Sequence, residues 1–201
     1  MGVLERPLPK PSAEDYVNAR LLEALVEGWL AIRFLKEGLV RNAAGKAFQA
    51  WRALTAALLR LELDRLKALA RSDEERRWLE TTAVPRVPTG RLVRLSQLLE
   101  EVGHVGYSAW TDRALNLHEY QYHGPDPDMA WSKYRSREEA AVAVVGLLRE
   151  VVDRVEELKA RVKWGNELEN SYKTLKQALV SRTEAQRSPN AAGNIAGKTN
   201  A

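Results

Sequence analysis

Asn42-Ala-Ala-Gly-Lys-Ala-Phe-Gln-Ala-Trp-Arg-Ala-Leu-Thr-Ala-Ala-Leu-Leu-Arg-Leu61 places Ala47, Trp51, Leu54, Leu58 and Leu61 at steps of four and three. That spacing is the seam of close helix–helix packing and is incompatible with the two-residue alternation of a half-buried strand. Ala43, Ala44, Ala47 and Ala50 add little bulk, so a neighbouring helix can come close. The stretch therefore predicts a helix starting near Asn42 and facing neighbours at short range.

Working outward, the same period recurs. Leu22, Leu25, Val26, Trp29 and Ile32 form a first helix, expected to open at Ser12 with Asp15 facing its free amides and to stop at Gly38. Leu21, Leu30, Phe34 and Leu35 widen its apolar stripe enough for two neighbours. Beyond Leu61 the pattern extends towards Trp78 and Leu79, with Ser72-Asp73 as a break and a new cap, and with Pro85 and Pro88 as the stop. Thr89 is expected to cap a short helix closed by Gly103. A further helix spans 107–122, and Gly124-Pro125-Asp126-Pro127 forms a loop. Ser136 and Glu139 make a capping box for a helix whose seam is Val144, Leu148, Val151, Val155, Leu158 and Val162. Trp164-Gly165-Asn166 breaks it, and a weaker helix follows to about Arg182.

The fold class is thus all-α, a bundle of five or six helices over residues 12–182. An extended lead-in covers 1–11 and a disordered, Asn-, Ala-, Gly- and Ser-rich tail covers 183–201. Within that tail, Gly197-Lys198-Thr199 resembles part of a phosphate-binding loop, but the strand and helix that such a loop needs are missing.

Composition narrows function. The 201 residues contain no cysteine, which excludes disulfides and thiolate metal sites and fits a reducing, cytoplasmic setting. No apolar run suits a membrane span. A formal charge of +4 permits contact with phosphate without demanding it. His118, His123, Asp126 and Asp128 do not read as a metal site, because histidines five apart diverge on a helix and the aspartates belong to turns. No metal or other cofactor is expected.

The remaining constellation is Arg113-Ala-Leu-Asn-Leu-His118-Glu-Tyr120-Gln-Tyr122-His123. An imidazole titrating near neutrality can take the proton of a ribose 2′-hydroxyl. A guanidinium can hold a phosphate and stabilise charge growing on its oxygens. A tyrosine can stack on a base. Set against this, Arg113 could simply pair with Asp112 or Glu119 while His118 anchors a helix crossing. Five residues of helix also turn the Arg113 and His118 side chains about 140° apart, so they meet only around a distortion or across a twofold axis.

Arg113, His118 and Tyr120 resemble the Rx4HxY motif of the HEPN superfamily, whose members include the HepT-type toxins. The resemblance implies a HEPN-like bundle, a homodimer with its site at the dimer interface, and metal-independent cleavage of RNA. Arg113, His118 and Tyr120 would be catalytic, with Asn116, Tyr122 and His123 touching nucleic acid. Active HEPN members often carry a polar residue after the arginine, where this chain has Ala114. Longer stretches resemble the archaeal PaREP family: Leu35-Lys-Glu-Gly-Leu-Val-Arg-Asn-Ala-Ala-Gly-Lys-Ala-Phe-Gln-Ala-Trp51, Val87-Pro-Thr89, Leu117-His-Glu-Tyr-Gln-Tyr-His-Gly-Pro-Asp126 and Ser132-Lys-Tyr-Arg-Ser-Arg-Glu-Glu-Ala140. The expectation is a protein that binds RNA or a nucleotide. The alternative is a non-catalytic interaction module, for instance a subunit docking on a nucleotidyltransferase through the wide stripe of the first helix.

Overall fold

The structure is a computed structural model that describes residues 7–11 and 15–187. The Gly197-Lys198-Thr199 segment, most of the expected tail and the expected helix start at Ser12 lie outside them. The described residues are all-helical, with α1 Tyr16–Lys36, α2 Val40–Leu61, α3 Leu63–Leu69, α4 Asp73–Trp78, a π-turn Leu79–Ala83, α5 Val84–Arg86, α6 Leu92–Glu101, α7 Tyr107–His123, α8 Arg137–Leu158 and α9 Asn166–Arg187. No described helix is long and apolar enough to cross a membrane.

The helix count exceeds five or six because the segment after Leu61 is cut into short pieces. Ser72 ends one piece and starts the next, its Oγ accepting from the Glu75 amide at 3.1 Å. Pro85 does not stop the chain. The Val84 amide donates to the Leu79 carbonyl across the π-turn, and Pro85 enters the first turn of α5, where its missing N–H costs nothing. Tyr16, Arg20 and Arg52 then donate to the carbonyls of Val84, Pro85 and Arg86, and Val87 closes the segment at φ +40. Thr89 is no cap either; it begins a 3₁₀ turn that leads into α6 at Leu92.

The α2 helix is central. Fifteen of its residues are buried, which a helix covered on one side could not achieve. It packs along α1, and α7 and α8 close over its other sides. The alanines permit this: Ala43, Ala44, Ala47 and Ala50 have no exposed surface. Where α7 crosses, a Cβ on Gly45 would stand 2.6 Å from Gln121 Oε1, so the small residue sets the approach of the two helices. The wide stripe of α1 is largely met from within the chain, α2 on one side and α8 and α9 on the others, with Val26, Trp29, Leu30 and Phe34 half-buried. The α9 helix supplies Leu168, Tyr172, Leu175 and Leu179 and runs to Arg187, beyond the expected end at Arg182.

Between α2 and α7 the core carries a closed polar chain. Trp51 Nε1 donates to Thr111 Oγ1 at 3.0 Å, and Thr55 Oγ1 donates to the Trp51 carbonyl at 2.8 Å. With that hydrogen spent, the Tyr107 hydroxyl must donate to Thr55 Oγ1, 2.9 Å away. The rings of Trp51 and Tyr107 stack at 4.5 Å. This chain fixes the rotation of α7 about its own axis, and so decides which of its residues meet solvent.

Candidate functional site at the borders of α7

With Tyr107, Thr111, Ala114, Leu117 and Tyr120 turned inward, α7 shows solvent a ridge of Asp112, Glu119 and His123 with the half-buried Asn116 between them. Arg113 and His118 stand at opposite borders of the buried face. One looks towards α8 and the other towards α2, the divergence that helix geometry requires.

Arg113 is exposed. Its guanidinium lies over the Trp110 ring, 4.8 Å from the centroid, and its Nη1 comes within 3.0 Å of where a Cβ on Gly146 would stand. It has no carboxylate partner among the described residues, so the pairing with Asp112 or Glu119 does not form. Beside it opens a shallow cleft of ≈ 610 Å³, lined among others by Asn116, Lys133, Tyr134 and Glu139.

His118 is half-buried on α2. Its ring stacks on Phe48 at 4.1 Å, and the Tyr122 ring meets it edge-on at 5.2 Å. Nδ1 is buried with no hydrogen-bond partner. Burial lowers the pKa of the imidazole, and the Arg52 guanidinium pushes the same way, against a weaker opposing effect of Glu119. Arg52 itself is held over Phe48, 5.9 Å from the ring centroid, by bonds to Gln49 and to the Arg86 carbonyl. The result is an imidazole that stays neutral below the ordinary histidine value.

A stability prediction follows from this. An unfolded histidine takes up a proton near pH 6.5 while folded His118 resists it, so protonation favours unfolding as pH falls through that value. Replacing His118 by Phe, which keeps the ring stack, should flatten the fall in melting temperature between about pH 7.5 and 5. A slope of the same sign remains from His104, which burial also lowers despite the opposing pull of Glu62. An unchanged pH profile in the variant would show that His118 carries none of the slope.

The other expected residues divide by position. Tyr120 is 1% exposed, set edge-on against Tyr134 at 5.8 Å, with burial raising its hydroxyl pKa. This burial is at odds with the accessible position that its expected catalytic role would need. Asn116 shares the Arg113 cleft. Tyr122 is 60% exposed beside His118, and His123 lies at the end of the helix, 5.9 Å from the Trp131 ring. The structure thus brings together His118 and Tyr122 on one border, and Arg113 and Asn116 on the other.

Three features had no counterpart in the motif reading. Phe48 and Arg52 frame His118, and the exposed Trp131 stands beside His123. A third, Glu62, is buried and accepts from Arg161 at 2.7 Å and Arg65 at 3.0 Å, with His104 Nε2 at 3.2 Å. Burial pushes its carboxyl up, but these donors outweigh it and hold the carboxyl below its usual value. Glu62 ties the turn after α2 to the start of α7 and the end of α8.

Residues 19–145 match the model of the Archaeal PaREP1/PaREP8 family. The chain belongs to this family. The PaREP1/PaREP8 segment runs from α1 into α8 and contains all of α7, both of its borders and Trp131, while α9 and Arg161 fall outside it. No curated protein and no solved structure matches the chain.

Proposed function

We propose that this PaREP1/PaREP8 protein is a HEPN-like RNA-binding protein that cleaves RNA as a pair of copies, without metal. The observation that carries the reading is His118: a half-exposed imidazole stacked on Phe48, its pKa lowered by burial, with no hydrogen-bond partner at either ring nitrogen among the described residues. With Nδ1 buried, Nε2 is the nitrogen left to accept a proton, while the ring also stacks across the crossing of α2 and α7.

The reaction this supports is attack of a ribose 2′-oxygen on the adjacent phosphorus. His118 accepts the 2′-hydroxyl proton, the P–O5′ bond breaks, and water protonates the departing 5′-oxygen, leaving a 2′,3′-cyclic phosphate. Arg113, without a carboxylate partner among the described residues, clamps the phosphate and stabilises the charge on its oxygens. Because one chain holds these two groups on opposite borders of α7, the Arg113 facing a given His118 comes from the second copy. The polar ridge of Asp112, Asn116, Glu119 and His123 is the surface along which two α7 helices would lie. The rival docking role for α1 rested on its wide apolar stripe, much of which α2, α8 and α9 cover, leaving Val26, Trp29, Leu30 and Phe34 half-buried.

The test is incubation of the purified protein with RNA in excess EDTA. Products should carry cyclic phosphate ends by mass spectrometry, and His118→Ala should slow their appearance by about 10²–10⁴-fold, the range for loss of a general base. Equal cleavage by the variant would remove the assignment, as would failure of the wild-type chain to bind RNA at low salt, where even weak phosphate contacts register.

A further inference from the structure

Trp131 is 72% exposed, an unusual position for so large an apolar side chain. It is not there for lack of order. Asp126 holds the loop between α7 and α8 from within: its Oδ2 accepts from the amides of Trp131 at 2.6 Å and Ser132 at 3.1 Å. Its own amide donates to the Tyr134 carbonyl at 3.0 Å, and Met129 donates back to the Asp126 carbonyl at 3.0 Å. Ser132 is buried at the root, and Tyr134 is seated against Tyr120. A loop tied down at this many points presents the indole in a set position. His123 stands beside it, the two rings 31° from parallel.

The surroundings carry cations and acids together, with Met129 as an exposed apolar neighbour in the loop. Lys133 and Arg135 are exposed and have no carboxylate partner among the described residues. Asp126 is occupied by the loop amides, Glu139 by the Arg135 amide at 2.8 Å, and Glu138 lies 3.9 Å from Arg137, which leaves the exposed Asp128 as the acid nearest to Trp131 in sequence. Lys133 lies on the wall of the cleft that Arg113 also lines. An exposed indole, followed two and four residues on by cations without a carboxylate partner among the described residues, one of them lining the cleft of Arg113, offers a face to a base and charges to neighbouring phosphates.

We infer that Trp131 is a stacking platform for single-stranded RNA, with one base resting on the indole and neighbouring phosphates held by Lys133 and Arg113. This rests on the RNA reading above and narrows it: the substrate is unpaired at the site, because a base within a duplex has no free face to offer.

A labelled 2′-O-methyl oligouridylate of about twelve nucleotides, which cannot be cleaved through its blocked 2′-oxygen, is titrated by anisotropy beside a duplex of equal length. Trp131→Ala should weaken binding of the single strand about tenfold, Trp131→Phe should restore most of it, and duplex affinity should not change. Unaltered melting in Trp131→Ala, expected for so exposed a side chain, shows that the fold is intact. Single-strand affinity equal to wild type in Trp131→Ala, or equal losses for single strand and duplex, would overturn the platform. If Trp131→Ala binds normally while His118→Ala loses cleavage, the platform alone falls. If Trp131→Ala weakens single-strand binding while His118→Ala cleaves normally, the nuclease reading alone falls.

Discussion

Replacing Trp51 by Ala is expected to cost about 3–5 kcal/mol of stability and to lower the melting temperature by roughly 10 °C. Trp51 has no exposed surface and sits where α2 meets α7, so its removal leaves a cavity bounded by helices fixed from other directions. The lost area is only part of the effect. Thr111 loses the donor at its Oγ1, and Tyr107 loses the ring stacked on it at 4.5 Å. Trp51→Phe separates the two contributions: it retains most of the bulk but cannot donate, and should cost about 1–3 kcal/mol through the unpaired buried hydroxyl. Because the Trp51–Thr111 bond helps set the rotation of α7, both variants should also weaken RNA cleavage, and Trp51→Ala by more. Chemical unfolding of the variants gives the measurement. A loss below about 1 kcal/mol for Trp51→Ala would mean that α7 is held by other contacts.

How far the sequence reveals the fold depends on which interactions leave a period. The α2, α7 and α8 helices were legible because their apolar residues repeat every three or four positions and end at strong signals, Gly124 and the Ser136 cap among them. That cap forms nearly as expected, except that the Glu139 carboxylate takes the amide of Arg135 rather than that of Ser136. In the stretch from Leu63 to Arg91 the break and cap at Ser72-Asp73 are legible and form as expected, but its end is not. Proline reads as a stop, and nothing in the sequence announces a π-turn that lets Pro85 enter a new first turn. The width of the α1 stripe was visible, but not what fills it. The burying residues of α9, Leu168, Tyr172, Leu175 and Leu179, step by four, three and four within an otherwise polar helix, and were read as a weak element.

The site divides along the same line. That Arg113 and His118 diverge is helix geometry and needed no structure. Tyr120 could have been placed inside, since it follows Leu117 by three residues and Ala114 by six, on the buried face; the motif drew attention from that spacing. Phe48 and Arg52 were out of reach, because no periodicity links a position on α2 to His118 on α7. Trp131 was hidden for another reason. A tryptophan in a loop reads as an anchor until its exposure is seen, and here the anchors are the buried Ser132 and the half-buried ring of Tyr134.

The divergence of Arg113 and His118 makes the strongest prediction of the proposed mechanism. Arg113→Ala and His118→Ala should each reduce cleavage by about 10²-fold or more, one by removing the clamp on the phosphate and the other by removing the base. Mixed in equal amounts and allowed to exchange subunits, the two inactive proteins should regain about a quarter of wild-type activity: half the dimers are mixed, and in each one of two sites pairs an intact His118 with an intact Arg113. No such gain is possible if both groups act within a single chain, because every site then lacks one of them. The double variant, carrying both substitutions on one chain, should rescue nothing when mixed with either single variant. Each possible site in those mixtures lacks the group that both chains have lost, so any gain there would reflect contamination rather than assembly. A flat result for Arg113→Ala mixed with His118→Ala, together with light scattering that shows a dimer, would mean that the two borders of α7 never face each other. His118 would then need a different cation, and Arg52, which stands on its own border, is the guanidinium already there.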